Sequence, residues 1–288
     1  MKLSTEKPRN VIPNGLVALV TGASSGIGRV SAAELALQGY HVFLACRGQE
    51  KAKVVLDEIA ARSAGTAKAE FLSLDLGDLD SVRQCAQSFL ARGLPLHVLV
   101  NNAGLAGQKG LTRSGFELTF GTCHVGHFLL THVLLDCLKR SAPARVVVVA
   151  SQAHRHTKGL DYSTLQQSTH SVGGLKEYAG AKLANILFAA ELGRRLQGTG
   201  VTTYALHPGV VATDVWRSLP WPLDWLIKRF MITAEQGAAT TLYCATSPDC
   251  ANSTGLYYEN SAQCRASKAA CDTEQAQKLW SASEAWIK

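Results

Sequence analysis

"VALVTGASSGIGRV", residues 17–30, decides the fold. Apolar and β-branched residues run straight into Gly22-x-x-x-Gly26-x-Gly28, and a helical pattern begins at Ile27. Glycines allow a tight turn and a close approach of the backbone to a pyrophosphate, whose charge the helix N-terminus then favours. Three glycines alone would say little. With a strand before them and a helix after, they read as a phosphate loop. The spacing differs from the more usual Gly-x-Gly-x-x-Gly, which sets this loop apart within the nucleotide-binding class.

Outward from that loop, strand-like and helix-like runs alternate almost throughout. β-rich runs stand at 17–22, 40–47, 69–76, 96–104, 144–151, 201–209 and 255–260. Between them, apolar spacing near 3.6 predicts helices over Ile27–Gln38, Val54–Arg62, Val82–Ala91, Phe128–Leu138 and Leu183–Leu196. Near-continuous apolar runs such as "RVVVVA" (145–150) suit parallel strands buried on both faces. The expected fold is α/β, a single doubly wound domain with a seven-stranded parallel sheet. Residues 1–15 read as an N-terminal extension, 16–262 as the domain and 263–288 as a helical tail. Two stretches interrupt the alternation, a polar loop at 154–174 and an insertion at 215–232. Ligands of such sheets sit outside the carboxyl ends of the strands, so both are candidate lids.

Composition narrows the function classes. The 288 residues are 47% hydrophobic and 18% charged, which fits a compact globule rather than a disordered chain. A net charge of +7 fits a phosphorylated cofactor, an anionic membrane surface or plain solubility. There are no Lys/Arg blocks and no aromatic–basic stripes, so nucleic acid is not an expected partner. Eight cysteines lie scattered without a Cys-x-x-Cys pair, which points to a reducing compartment and to no metal site. The opening residues show no signal-peptide pattern, and no window is expected to reach the ~18 or more apolar residues of a membrane span. A cytoplasmic location is expected, with peripheral membrane contact as a variant of it.

Two further features carry chemistry. Arg47 ends the second strand, where an acidic residue would hold the ribose 2′-hydroxyl of NAD. A guanidinium there pairs instead with a 2′-phosphate, favouring NADP(H), and Arg29 is placed to assist. The plainer alternative is a solvated strand-end residue. In "YAGAKLANILF" (178–188), Tyr178 and Lys182 stand one helical turn apart on one face. They are either an amphipathic edge or a phenol that exchanges a proton beside a cation.

Together the motifs "TGASSGIG", "DL" (75–76), "NNAG" (101–104), "GHFLLT" (126–131), "YAGAK" and "HPGVVAT" (207–213) resemble the short-chain dehydrogenase/reductase family. The likeness runs from about Val17 to Trp280 and is nearest the retinol dehydrogenase-like branch. It implies a Rossmann domain whose loop residues Gly22, Ser24, Ser25, Gly26, Ile27 and Gly28 bind the cofactor phosphates. It implies adenine contacts from Asp75 and Leu76, and a ribose region lined by Asn102, Ala103 and Gly104. Pro208, Gly209 and Thr213 would flank the nicotinamide. Tyr178 would be the general acid or base, Lys182 would favour the phenolate and hold the nicotinamide ribose, and Ser151 would hydrogen-bond the substrate oxygen. A free phenol, with a pKa of about 10, is a poor base without such help.

One departure from the family stands at Cys123, where the pattern has an asparagine that supports a bound water on the proton path. Cysteine donates weakly and accepts poorly. Beside it, His124 points to another face, and with His127 and His132 it reads as a helix-packing or surface histidine rather than a metal ligand. Ala150, where the branch has a serine, leaves the catalytic position intact. The 215–232 insertion is rich in Trp, Leu and Phe with Lys228 and Arg229 on another face. It reads as a lid over an apolar pocket, a membrane-contacting helix, or a core helix. The chain is expected to interconvert a lipophilic alcohol and its aldehyde or ketone, of retinoid, isoprenoid or steroid type. The alternative is a nucleotide-binding or sensor protein with weak turnover. Homo-oligomers are common in the family.

Overall fold

The computed structural model describes residues 10–210 and 232–288. One sheet runs through the molecule in the order β3-β2-β1-β4-β5-β6-β7-β8. Its strands are β1 (Val17–Thr21), β2 (His41–Cys46), β3 (Ala69–Ser73), β4 (Val98–Asn101), β5 (Ala144–Val149), β6 (Val201–His207), β7 (Leu256–Glu259) and β8 (Ala262–Cys264). The first seven are parallel, and β8 returns antiparallel to β7. The helices among the described residues are α1 (Gly26–Leu37), α2 (Gln49–Arg62), α3 (Leu79–Leu90), α4 (Leu118–Arg140), α5 (Leu175–Arg195), α6 (Ala234–Thr246) and α7 (Thr273–Trp286).

The sheet is covered on both faces. Val17 and Leu19 join a core shared with α3, α4, α5 and α7, while Ala18 and Val20 join one shared with α1, α2 and α6. Alternate side chains of one strand thus enter two hydrophobic layers, which is why the strands are apolar without a break. The seven expected strands are all present. The eighth is three residues long, too short and too polar to register as a β-run. It turns at Asn260 and Ser261, whose φ values of 51° and 57° are those of a tight two-residue hairpin.

Against the expectation that no stretch is long and apolar enough to span a membrane, α4 is, and 72% of its most apolar window is buried within this fold. Its apolarity is that of a core helix. The Glu117 carboxylate caps it, accepting the Phe120 N–H at 2.7 Å, and a π-turn widens it over Gly121–Val125. Gly126 lets it approach the Asp75–Leu76 turn: a Cβ there would lie 2.4 Å from the Leu76 carbonyl oxygen.

The tail is part of the same core. Asp272 caps α7, its side chain accepting the Gln275 N–H at 3.1 Å. Trp280 packs edge-on against Phe128 at 5.0 Å, stacks on Phe188 at 6.1 Å and carries the Arg195 guanidinium 4.4 Å above its ring. Trp280→Ala is expected to cost about 3–5 kcal/mol of stability, read by denaturant unfolding. A cost below about 1 kcal/mol would mean that α7 does not share the core.

Candidate active site

The strand order reverses between β1 and β4, and the crevice opens there, at the carboxyl ends of the strands. The phosphate loop bridges β1 to α1. Gly22 and Gly26 take φ values of +67° and +52°, a conformation that side chains disfavour. Gly28 serves through space instead: a Cβ there would lie 2.4 Å from both the Asn102 Nδ2 and the Gly22 carbonyl oxygen. The α1 N-terminus has no side-chain cap from Ser25 and no acidic residue in its first turn. Its N–H groups and positive end are thus left for an anion, and the cradle fits the pyrophosphate of a dinucleotide. Ser24 lies half-buried beside the Cys46 thiol, Ser25 is exposed, and Ile27 is half-buried at the start of α1.

Around this cradle the remaining predicted cofactor residues gather on neighbouring strand ends. Arg47 directly follows β2 and is exposed. Arg29 does not stand free beside it: its guanidinium is held by Glu58 of α2, with Nε 2.7 Å and Nη2 2.6 Å from the carboxylate. That ion pair spans the α1–α2 groove, a long-range partner that the sequence does not announce. Asp75 and Leu76 follow β3, with Asp75 exposed and its carboxylate accepting the Gly77 N–H at 2.9 Å. Asn102, Ala103 and Gly104 follow β4, and the Asn102 side chain donates to the Thr21 carbonyl at 2.8 Å.

The three proposed catalytic side chains come from two elements. Ser151 lies just beyond β5, its Oγ accepting the Ala153 N–H at 3.2 Å. Tyr178 and Lys182 lie one turn apart on α5, which begins after Gly173 and Gly174, both at positive φ. Glu177 fixes that entrance by accepting the N–H groups of His170 and Ser171. Lys182 reaches across to donate to the Val149 carbonyl at 2.9 Å, two residues before Ser151, and its Nζ lies 5.6 Å from the centre of the Tyr178 ring. Asn185 donates to the same carbonyl at 3.1 Å. α5 is thereby pinned to the end of β5, with Ser151, Tyr178 and Lys182 all buried.

Cys123 sits in the π-turn of α4, fully buried, its thiol 3.9 Å from the Leu105 carbonyl. Burial raises its pKa, against the lowering influence of Lys182, so it stays a thiol at neutral pH. His124 does not replace it: its Nε2 lies 2.9 Å from Ser283 Oγ on α7. Pro208 and Gly209 follow β6, and Gly209 takes a φ of +91° with the Ile232 side chain against it. The Ile232 N–H donates to the Val210 carbonyl at 2.9 Å, joining the chain on either side of 211–231. Thr213 and residues 215–231 of the proposed lid lie outside the described residues. Among the described residues, no group of three or more His, Cys, Asp or Glu is placed to hold a metal.

Sequence reasoning missed His154, set there in a polar loop. It is fully buried, donates from Nδ1 to the Ser151 carbonyl at 2.6 Å and accepts the Ser267 N–H on Nε2 at 3.1 Å. With Gln152 bonded to Glu259 and Arg155 to the Arg265 carbonyl, it fastens the turn after Ser151 to the β7–α7 region. Its partner at Ser267 lies over a hundred residues away in sequence, so only the fold brings them together.

Burial lowers the pKa of His97 and His154 and, further, that of His124 to about 3 and of His127 and His207 to about 4. The folded chain therefore stays neutral at sites where the unfolded chain takes up protons below about 6.5. Their contribution to stability is complete above that pH and is lost as pH falls toward 4. The unfolding midpoint is expected to drop between pH 6.5 and 5, before most carboxylates titrate. A flat midpoint over that window would contradict it.

The comparisons with known proteins agree with this geometry. The family model described as "short chain dehydrogenase" matches residues 16–221. Human retinol dehydrogenase 11 is 43% identical over 273 residues, covering 93% of this chain and 85% of its own length. The WW domain-containing oxidoreductase of Danio rerio is 44% identical over 283 residues, covering 94% of this chain and 68% of its own. A crystal structure of an uncharacterized protein from Mycobacterium Paratuberculosis superposes with a TM-score of 0.76 at 32% identity, over 97% of this chain and 95% of that one. An actinorhodin polyketide ketoreductase crystallised with NADPH does so with a TM-score of 0.65 at 25% identity, over 86% and 97%. With a glycine cradle at the sheet's switch point, a Tyr–Lys pair pinned beside Ser151, and relatives matched over nearly its whole length, the chain belongs to the short-chain dehydrogenase/reductase family, whose members are alcohol and carbonyl oxidoreductases built to bind NAD(P).

Proposed function

We propose that this chain is an NADP(H)-dependent oxidoreductase that interconverts a lipophilic alcohol and its aldehyde or ketone. The observation that carries the proposal is the Lys182–Val149 hydrogen bond, which sets Tyr178 and Lys182 beside Ser151 at the mouth of the nucleotide crevice. A bound nicotinamide supplies the hydride in reduction and accepts it in oxidation. In reduction, the Ser151 hydroxyl donates a hydrogen bond to the carbonyl oxygen and holds it toward Tyr178. Tyr178 delivers its proton to that oxygen as negative charge develops there, and the Lys182 ammonium stabilises the phenolate left behind. Oxidation runs through the same atoms in reverse, with the phenolate taking the alcohol proton.

Arg47 supports the choice of NADP(H). It stands exposed at the end of β2, where a 2′-phosphate would meet its guanidinium. Arg47→Glu is expected to weaken NADPH binding roughly ten- to a hundredfold, as a lost charged hydrogen bond does, while NADH binding holds or improves. Equal losses for both nucleotides would contradict the assignment. The retinol dehydrogenases among the relatives support a lipophilic substrate of retinoid, isoprenoid or steroid type. A lid or membrane contact through 215–232, a cytoplasmic location and a homo-oligomer belong to the same proposal and rest on sequence alone.

Cys123 favours a second reading, a nucleotide-binding protein with weak turnover, because a buried thiol cannot hold a relay water as an asparagine amide can. The two readings part on NADPH absorbance followed with retinal, prenyl aldehydes, steroids and aromatic carbonyls. Loss of absorbance that rises further in Cys123→Asn supports an enzyme with a weakened relay. Tight NADPH binding without reduction of any carbonyl, even by Cys123→Asn, supports the second reading.

A further inference from the structure

Beneath the crevice lies a chain of buried hydrogen bonds that none of the cofactor or catalytic residues above completes. His127, on α4 and 1% exposed, has its Nδ1 2.9 Å from the Cys123 carbonyl oxygen and its Nε2 2.8 Å from the Thr21 hydroxyl. A carbonyl only accepts, so Nδ1 carries the proton. In the neutral ring Nε2 is then an acceptor, and the Thr21 O–H donates to it. The Thr21 oxygen in turn accepts the N–H groups of Asn102 at 2.9 Å and Ala103 at 3.0 Å. Its single donor and both acceptor sites are thereby used. A further carbonyl, that of Val100, lies at 3.3 Å, farther than the histidine.

Thr21 closes β1 immediately before Gly22, and Asn102 and Ala103 open the turn after β4. These are the two sides of the switch point. The glycine cradle rests on the same turn, since a Cβ on Gly22 would lie 2.9 Å from the Ala103 Cα. A buried network of this kind is rigid only when every member is satisfied. The one imidazole that completes it comes from outside both loops, from the helix that carries Cys123.

We infer that His127 is a positioning residue for the nucleotide crevice: through the Thr21 hydroxyl it fixes the spacing between the phosphate loop and the Asn102–Ala103 turn. The inference rests on the proposed binding of NADP(H) in that crevice. It assigns a role to a histidine whose sequence context reads as mere helix packing. With an apolar residue at 127, the Thr21 hydroxyl would turn to the Val100 carbonyl and the Cys123 carbonyl would lose its imidazole donor. The crevice would loosen while the catalytic side chains on α5 kept their anchors.

The test is NADPH binding by fluorescence on the full chain, together with KM and kcat and the thermal midpoint. His127→Leu is expected to weaken NADPH binding about tenfold and to raise KM for NADPH, with kcat at saturation much less affected. His127→Gln, whose amide supplies one donor and one acceptor, is expected to restore most of the affinity. Thr21→Val breaks the other end of the same strut and is expected to match His127→Leu, and it reads the role even if His127→Leu does not fold. The double variant should then be little worse than either single one, because both remove one connected network. A lower midpoint with NADPH affinity unchanged in both His127→Leu and Thr21→Val would overturn the inference and leave His127 a packing residue. Failure of the unmodified chain to bind NADPH would instead overturn the proposed function, and this inference with it.

Discussion

Tyr178→Phe is expected to lower turnover about 10²- to 10⁴-fold, the range over which a positioned acid–base group contributes. NADPH affinity should stay within about twofold, since the glycine cradle, Asn102 and Arg47 are untouched. The ring occupies the same buried place on α5, and Lys182 keeps its bond to the Val149 carbonyl. What the proposed mechanism would lose is the proton that reaches the substrate oxygen as hydride arrives at carbon. Steady-state kinetics beside a binding titration separate these terms. A Tyr178→Phe variant that keeps more than about a tenth of the activity would remove Tyr178 from the acid–base role.

The second large effect is expected at Gly28. Its φ is not positive, so an alanine suffers no backbone strain there; it suffers a collision. The added Cβ would lie 2.4 Å from the Asn102 Nδ2 and 2.4 Å from the Gly22 carbonyl oxygen, and 2.9 Å from the Gly22 carbonyl carbon. Part of that contact is backbone, which cannot swing aside. α1 must shift from the loop, carrying with it the N–H groups proposed to face the pyrophosphate. Overpacking of this kind costs about 1–3 kcal/mol, which corresponds to a five- to hundredfold loss of NADPH affinity in Gly28→Ala. A binding titration checks it, and unchanged affinity would show that the phosphates do not rest on this loop.

Much of the fold was legible because each strand carries its signal locally. Val17 to Thr21 feeds two cores through alternate side chains, and no distant residue is needed to recognise it. β8 was not legible, because three residues with a polar centre make no pattern; only its pairing with β7 defines it. That Tyr178 and Lys182 lie one turn apart on one helix was legible from spacing, while their chemical role was read from the resemblance. What fixes Lys182, the Val149 carbonyl 33 residues earlier, was not. Arg29 shows the same limit from the other side, a cation beside the loop whose ion pair with Glu58 of α2 could not be read from the sequence. The hydrogen bonds of His127 and His154 share one reason for escaping notice. Their partners at Thr21 and Ser267 are 106 and 113 residues distant, so a residue-by-residue reading sees only a buried or a loop histidine.

Isotopic labelling follows the proposed hydride itself from the nicotinamide to the carbonyl carbon. NADPH carrying deuterium at both C4 positions would be incubated with the purified chain and retinal, and the alcohol recovered for mass spectrometry. Retinol with one deuterium on the carbinol carbon is expected, formed at least about a hundredfold more slowly by Tyr178→Phe. Retinol lacking the label, or labelled retinol formed equally by Tyr178→Phe, would contradict the proposed function.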